Sequence, residues 1–199
     1  MRKIITNIFV TLDGVMQAPG GPEEDVSDGF KYGGWQFTIP DEEVGKAIGE
    51  FMALPFELLL GRKTYDIWAA YWPKATEMPD ISKPFNSTRK YVVSHKQREL
   101  GWNNSKLVSG DVVLELKKLK NLDAPDLWVC GSSELIQTLL ENKLIDRMQV
   151  FIYPMTIGSG KKLFAGGTLP QNFKLVASKI SPLGVIMASY EPGEPLKIG

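Results

Sequence analysis

Arg62, Lys63 and Thr64 follow the apolar run Leu58-Leu59-Leu60 across a single glycine, Gly61. Two cations and a hydroxyl at a strand-to-helix turn suit a phosphate. The first helical N–H groups have no intrahelical partner, and the positive end of the helix dipole faces the ligand. An ordinary turn with solvated basic residues would carry the same local pattern. The spacing is not that of a Walker A loop, so the ligand need not be hydrolysable. Two further groups occupy equivalent places. Ser94, His95 and Lys96, with Arg98 beyond them, follow Tyr91-Val92-Val93, and Gly131, Ser132 and Ser133 follow Leu127-Trp128-Val129-Cys130. Asp13, with Gly14, ends the first β-branched run and serves either as a turn former or as a carboxylate at the mouth of a site. In open α/β sheets, ligands bind beyond the carboxyl ends of the strands. A ligand with a pyrophosphate and a further phosphate would engage all three turns at once.

The elements that must position these groups are legible in outline. Strands are expected over residues 3–12, 58–60, 90–94, 126–130 and 146–153, from their β-branched and aromatic content or continuous apolar runs. Val44, Ala47, Ile48, Phe51 and Met52 fall on one helical face behind Pro40 and Asp41. A second helix opens at Arg62, a third is capped by Asp111, and a fourth carries Leu135, Ile136, Leu139 and Leu140 inward. Phe173–Ile180 and Gly184–Tyr190 read as an antiparallel pair closing the sheet. Pro73, Pro79 and Pro84 predict an irregular surface connection over 73–88. Residues 18–40, with an acidic Pro/Gly stretch and the aromatics Phe30, Tyr32 and Trp35, form a long loop of the kind that makes lids and binding segments. Strands alternating with helices imply a three-layer αβα sandwich on a mainly parallel sheet with antiparallel C-terminal edge strands, built as one domain over 1–199.

Composition narrows the function classes. Basic and acidic residues balance at 23 each, which gives no electrostatic footprint for nucleic acid or an anionic membrane. The chain has one histidine, His95, and one cysteine, Cys130. A His/Cys zinc site is therefore impossible within one chain, no metal is expected, and Cys130 reads as a small buried hydrophobe. No apolar run approaches a membrane span, so the cytoplasm is the default location.

Six segments in order carry a resemblance: Thr11-Leu12-Asp13-Gly14, Leu60 through Tyr65, Tyr91 through Ser94, Val129 through Ser132, Leu144-Ile145-Asp146, and Pro154 through Phe164 with Gly158, Gly160 and Leu163. The chain resembles the dihydrofolate-reductase-like reductases, specifically the group containing the C-terminal reductase domain of the bifunctional riboflavin-biosynthesis deaminase-reductase. The resemblance implies an NADPH-dependent oxidoreductase. In it Gly61, Arg62, Lys63 and Thr64 hold the pyrophosphate, and Ser94, His95 and Lys96 lie near the adenosine 2′-phosphate. Gly131, Ser132 and Ser133 pass close to the pyrophosphate and nicotinamide ribose, where folate reductases have a Gly-Gly pair.

On the substrate side the resemblance puts Asp13 over the nicotinamide pocket. It makes Trp35 and Asp41 similar to the Trp and acid that fold over folate, with Asp41 relaying a proton if burial raises its pKa. Asp41 also reads as an acid complementing a helix dipole. Arg147, at a substrate-binding position, stands where riboflavin reductases commonly carry an acid. The implied reaction is hydride transfer to the opened ribosyl group of 5-amino-6-(5-phosphoribosylamino)uracil. The alternatives are a dihydrofolate or pteridine reductase, or a nucleotide-binding protein without catalysis. A homodimer is implied by the same resemblance.

Overall fold

The computed structural model describes residues 1–96, 99–164, 168–194 and 196. Eight strands form one sheet: β1 (Ile4–Thr11), β2 (Phe56–Gly61), β3 (Lys90–Val93), β4 (Ser105–Val108), β5 (Asp126–Cys130), β6 (Arg147–Tyr153), β7 (Phe173–Ile180) and β8 (Ile186–Pro192). Their spatial order is β4-β3-β2-β5-β1-β6-β8-β7. The first six run parallel, and β8 and β7 are antiparallel additions at one edge. This is the expected mainly parallel sheet. Five helices cover it: α1 (Glu42–Met52), α2 (Arg62–Tyr71), α3 (Pro79–Ser87), α4 (Val112–Lys120) and α5 (Ser133–Glu141).

Alternation along the strands assigns the two helical layers. Leu59, Ile4, Ile8, Leu127 and Val129 join one buried cluster with Leu116 and Leu119 of α4 and Leu135, Ile136 and Leu139 of α5. Leu58 and Leu60 face the other way, into a cluster with Tyr65, Trp72 and Phe85. A third cluster on that same side gathers Trp35, Val44, Phe151 and Tyr153 beneath α1. The three-leucine run thus feeds both layers, as a strand buried on both faces must.

Two elements depart from expectation. Residues 79–87 are helical despite two prolines. Pro79 costs nothing in the first turn, where its missing N–H would be unpaired anyway. The penalty of Pro84 is outweighed by packing: Phe85 is buried and stacks on Trp68 with ring centres 4.8 Å apart. Asn86 also donates to the Trp72 carbonyl and accepts from the Trp102 indole. The polar segment Ser105–Val108 is the four-residue edge strand β4, in register with Lys90–Val93. At the far edge, β7 is exposed along nearly its whole length, including Leu175, Val176 and Ile180. Among the described residues no helix is long and apolar enough to cross a membrane.

The amino-terminal rim of the sheet is held by ion pairs. The Arg2 side chain is fully buried. It donates to the Leu119 and Pro125 carbonyls and to the Glu57 carboxylate, and it lies over the Tyr91 ring. Arg2→Met keeps much of the packing but strands Glu57 and two carbonyls, so we expect a loss of about 3 kcal/mol. Urea denaturation with an unchanged slope would check it.

Candidate functional site

Neighbouring strands β2 and β5 leave the sheet in opposite directions. After Gly61 the chain enters α2 on the face of Tyr65 and Trp72, and after Cys130 it enters α5 on the face of Leu135 and Leu139. In open α/β sheets such a divergence marks the topological switch point, whose crevice at the carboxyl rim takes the ligand.

The two turns at this crevice are stitched together. The Gly61 N–H donates to Ser132 Oγ at 2.9 Å, and the Ser132 N–H donates to Thr64 Oγ1 at 3.1 Å. Gly131 has φ of 59° and Ser132 φ of 58°. Consecutive left-handed residues are what a Gly-Gly turn supplies. Here a serine adopts that backbone at a cost of about 1 kcal/mol, offset by its bond to Gly61. A Cβ on Gly131 would press on Thr64 Oγ1 at 3.3 Å. Cys130, immediately before the turn, has its thiol pushed up by burial to about 12, which removes it as a nucleophile at neutral pH.

The electrostatics of this rim are selective. Four helices begin just beyond parallel strands or their loops. The N-termini of α1 and α4 are capped by the carboxylates of Asp41 and Asp111. The N-termini of α2 and α5, the two at the crevice, carry no side-chain cap. Their positive ends converge where β2 and β5 part, a ready site for an anion. Arg62 stands beside it. Its Nε bonds both Asp66 oxygens, at 2.8 and 2.9 Å, while Nη1 is buried without a partner.

Lys63 is engaged differently. Its ammonium donates to Ser27 Oγ at 2.7 Å and lies 3.3 Å from Asp25. Lys161, from the loop after β6, meets the same two groups at 2.7 and 2.5 Å. Gln17 ties the arrangement by donating to the Asp25 and Ser27 carbonyls and accepting from the Lys161 N–H. The loop after β1 is thereby pinned across the rim from α2 to the loop after β6. It borders a cavity of about 250 Å³ lined by Gln17, Ser27, Asp28, Phe30, Gly160 and Lys161. Sequence reasoning missed Gln17, Asp25, Ser27 and Lys161. The acidic run at 23–25 and the Gly158-x-Gly160-Lys161 punctuation were the only local signals.

The other predicted residues are placed as follows. Ser94 is buried, and its hydroxyl closes its own turn against Lys96; His95 and Lys96 are exposed beside it. Arg98 lies outside the described residues. Ser133 is the first residue of α5. Asp13 is held below the usual carboxylate range by the Thr11 hydroxyl, against some desolvation, and by the N–H groups of Gly158 and Ile157. It fastens the loop after β6.

Three residues expected on the substrate side have the following surroundings. Asp41 does not have the raised pKa a proton relay requires. The Ser181 hydroxyl, outweighing desolvation, lowers it together with the N–H groups of Leu183, Glu43 and Val44, so it serves as an ionised cap. Trp35 is buried edge-on to Tyr153, with its indole N–H committed to the Gln17 carbonyl, so it supports the loop from beneath. Arg147 opens β6 at the amino rim and pairs with Glu191. The length of a seven-residue strand, roughly 20 Å, separates it from the crevice.

Comparison with known proteins bears on the family and the fold. The family model described as the RibD C-terminal domain matches residues 2–187. The uncharacterized protein YyaP of Bacillus subtilis (strain 168) is 31% identical over 193 residues, covering 95% of this chain and 94% of that protein. Among solved structures, a candidate riboflavin biosynthesis protein from Shewanella sp. PV-4 superposes with a TM-score of 0.67 at 20% identity, covering 98% of this chain and all of that one. Dihydrofolate reductase from Enterococcus faecalis, solved with NADP(H) and RAB-propyl, gives 0.61 at 12% identity, covering 96% and 97%. The fold is dihydrofolate-reductase-like.

The pinned loop generates a pH prediction. Desolvation alone would raise Asp25, but hydrogen bonds from Lys161 and Ser27 hold it at about 2. A depressed carboxylate contributes stability that is complete above its unfolded value near 3.8 and lost as pH falls toward 2. Proteolysis within residues 18–30 by an acid protease is therefore expected to accelerate steeply between pH 4 and pH 2 in about that window. Asp25→Asn is expected to be open, and pH-independent, throughout it.

Proposed function

The chain belongs to the RibD C-terminal domain family, and on that premise we propose that it is an NADPH-dependent reductase of small molecules. The observation that carries this reading is the pair of uncapped helix N-termini meeting at the switch-point crevice. Two positive helix ends, the unpartnered Arg62 Nη1 and the close-packed Gly131-Ser132 turn fit the diphosphate of a dinucleotide. Ser94, His95 and Lys96 stand two strands from β5, at the carboxyl end of β3, where a further phosphate on the adenosine would reach.

When bound, the reduced nicotinamide supplies a hydride. The chain's own share is to hold it and align it. Gly61 and Thr64 brace the Gly131-Ser132 turn, and Arg62 and the helix ends neutralise phosphate charge. The loop pinned by Asp25, Lys63 and Lys161 keeps water from one side of the cleft. Asp13 acts in this scheme as a positioning residue that fixes the loop after β6, since its carboxylate is ionised and already bonded. The acceptor we propose is a C=O or C=N carbon, as in the opened ribosyl group of 5-amino-6-(5-phosphoribosylamino)uracil, with a proton arriving at the heteroatom. The folate reading is weakened because Trp35 and Asp41 are both committed elsewhere.

NADPH is expected to give saturable binding by fluorescence, with NADH at least tenfold weaker. Arg62→Ala is expected to cost about 1–3 kcal/mol of NADPH affinity. Saturable NADPH binding with oxidation on adding the aminouracil phosphate supports the full reading, and oxidation with dihydrofolate instead moves the acceptor to the pteridines. A folded protein that does not bind NADPH sinks it.

We also propose a homodimer joined through β7, whose Leu175, Val176 and Ile180 are uncovered in the monomer. Light scattering should return twice the chain mass, and Ile180→Lys with Val176→Lys should return the monomer.

A further inference from the structure

The sides of β1 are not equally covered. Ile4, Ile8 and Val10 are buried against the α4–α5 layer. On the opposite side Ile5 packs into the Trp72–Phe85 cluster and Phe9 into the Trp35–Tyr153 cluster. Asn7 lies between them, at the seam where the α2–α3 cluster ends and the α1 cluster begins. Its Nδ2 and Oδ1 are both buried, and neither has a hydrogen-bond partner. In register with it are Cys130 on β5 and Gln149 on β6, and Gln149 Oε1 is likewise buried and unpartnered. Parallel strands lie about 4.8 Å apart with in-register side chains on one face, so two carboxamides stand side by side at this seam.

A buried amide without partners costs its full desolvation, and a leucine here would carry no such cost. Orphaned buried polar groups therefore ask for a partner. The row also has a telling position. Asn7 is in register with Cys130, which is followed directly by Gly131, so it lies one residue below the level of the crevice turn.

We propose that Asn7, with Gln149 beside it, binds the amide edge of a ring that enters the cleft: an N–H next to a C=O, as in a cyclic lactam, a ureide or a primary carboxamide. Asn7 Nδ2 donates to the carbonyl, and Oδ1 accepts from the N–H. This deepens the reductase reading, because two sources supply such an edge there, the acceptor heterocycle and the carboxamide of the nicotinamide.

The test titrates the wild-type chain, Asn7→Leu and Asn7→Asp with three probes: 5,6-diaminouracil, NADPH, and the reduced 3-acetylpyridine analogue of NADPH, whose methyl ketone lacks the amide N–H. Asn7→Leu should fold with a melting temperature equal to or above wild type. Asn7→Asp, which keeps the shape and loses the donor, serves if it does not. If the heterocycle is the ligand, both variants lose at least tenfold in diaminouracil affinity and hold NADPH within twofold. If the nicotinamide is the ligand, wild type prefers NADPH over the acetylpyridine analogue and the variants lose that preference. Unchanged binding of all three probes in both variants overturns the assignment. So does a wild type that binds neither diaminouracil nor discriminates between the dinucleotides. Failure of NADPH alone to bind removes the reductase reading, and the diaminouracil arm still decides this one.

Discussion

The stitch between Gly61, Ser132 and Thr64 is the constraint on which the rest of the site depends. Strands β2 and β5 are neighbours that depart to opposite faces, and nothing in sheet pairing holds their ends together once they part. Two hydrogen bonds across the gap do so, one from each turn's backbone to the other's hydroxyl. They fix the separation of two helix ends that would otherwise repel, since both carry partial positive charge. Ser132, at the cap position of α5, spends its hydroxyl on the Gly61 N–H, and the cap position of α2 is Gly61, which has no side chain, so neither helix has a conventional cap.

Charge on this rim follows a second logic. A carboxylate from the loop after β1 is set between two ammonium groups, one from α2 and one from the loop after β6. Asp25 thus links three segments that the sheet itself does not connect. Asp25 and Lys161 are largely shielded from solvent while Lys63 is exposed, so the Lys161 arm is stronger than a solvated pair and the Lys63 arm is the breakable one. Lys63 accordingly belongs both to the latch and to the helix end at which an anionic ligand would arrive. A phosphate approaching Arg62 finds Lys63 already neutralised, and the loop's position and the ligand's charge are coupled through that one side chain.

Much of this was legible in the sequence, and the exceptions have physical causes. α1, α2, α4 and α5 announce themselves by apolar periodicity and, for α1 and α4, by an acid at the cap. The αβα class follows from alternation of strands and helices. α3 was hidden because Pro79 and Pro84 outvote a helix locally, while Phe85, Trp68 and Asn86 decide the matter only when packed. β4 was hidden because a short edge strand needs no apolar alternation. The latch could not be read, since Asp25 and Lys161 stand 136 residues apart. The placing of Arg147 is different in kind. Asp146 and Arg147 open a strand, whereas Gly61, Ser94 and Gly131 close theirs, so strand direction alone carries Arg147 to the far rim.

The contrast between the two rims bears on where chemistry can occur. At the amino rim, Arg2 meets Glu57, Lys120 meets Asp146, and Arg147 meets Glu191; these are pairs that close off charge. At the carboxyl rim the outer helices are closed in the same way by Asp41 and Asp111. The central pair of helices is left without a side-chain cap, and one residue below the turn between them Asn7 on β1 and Gln149 on β6 carry unpartnered amide atoms. These are two unsatisfied features of opposite character, a positive rim and a neutral donor–acceptor row. A ligand complementary to both has an anionic end and an amide-bearing ring. The separation of those ends is set by the strands themselves, because Asn7 is in register with Cys130 and the turn begins at the next residue, Gly131.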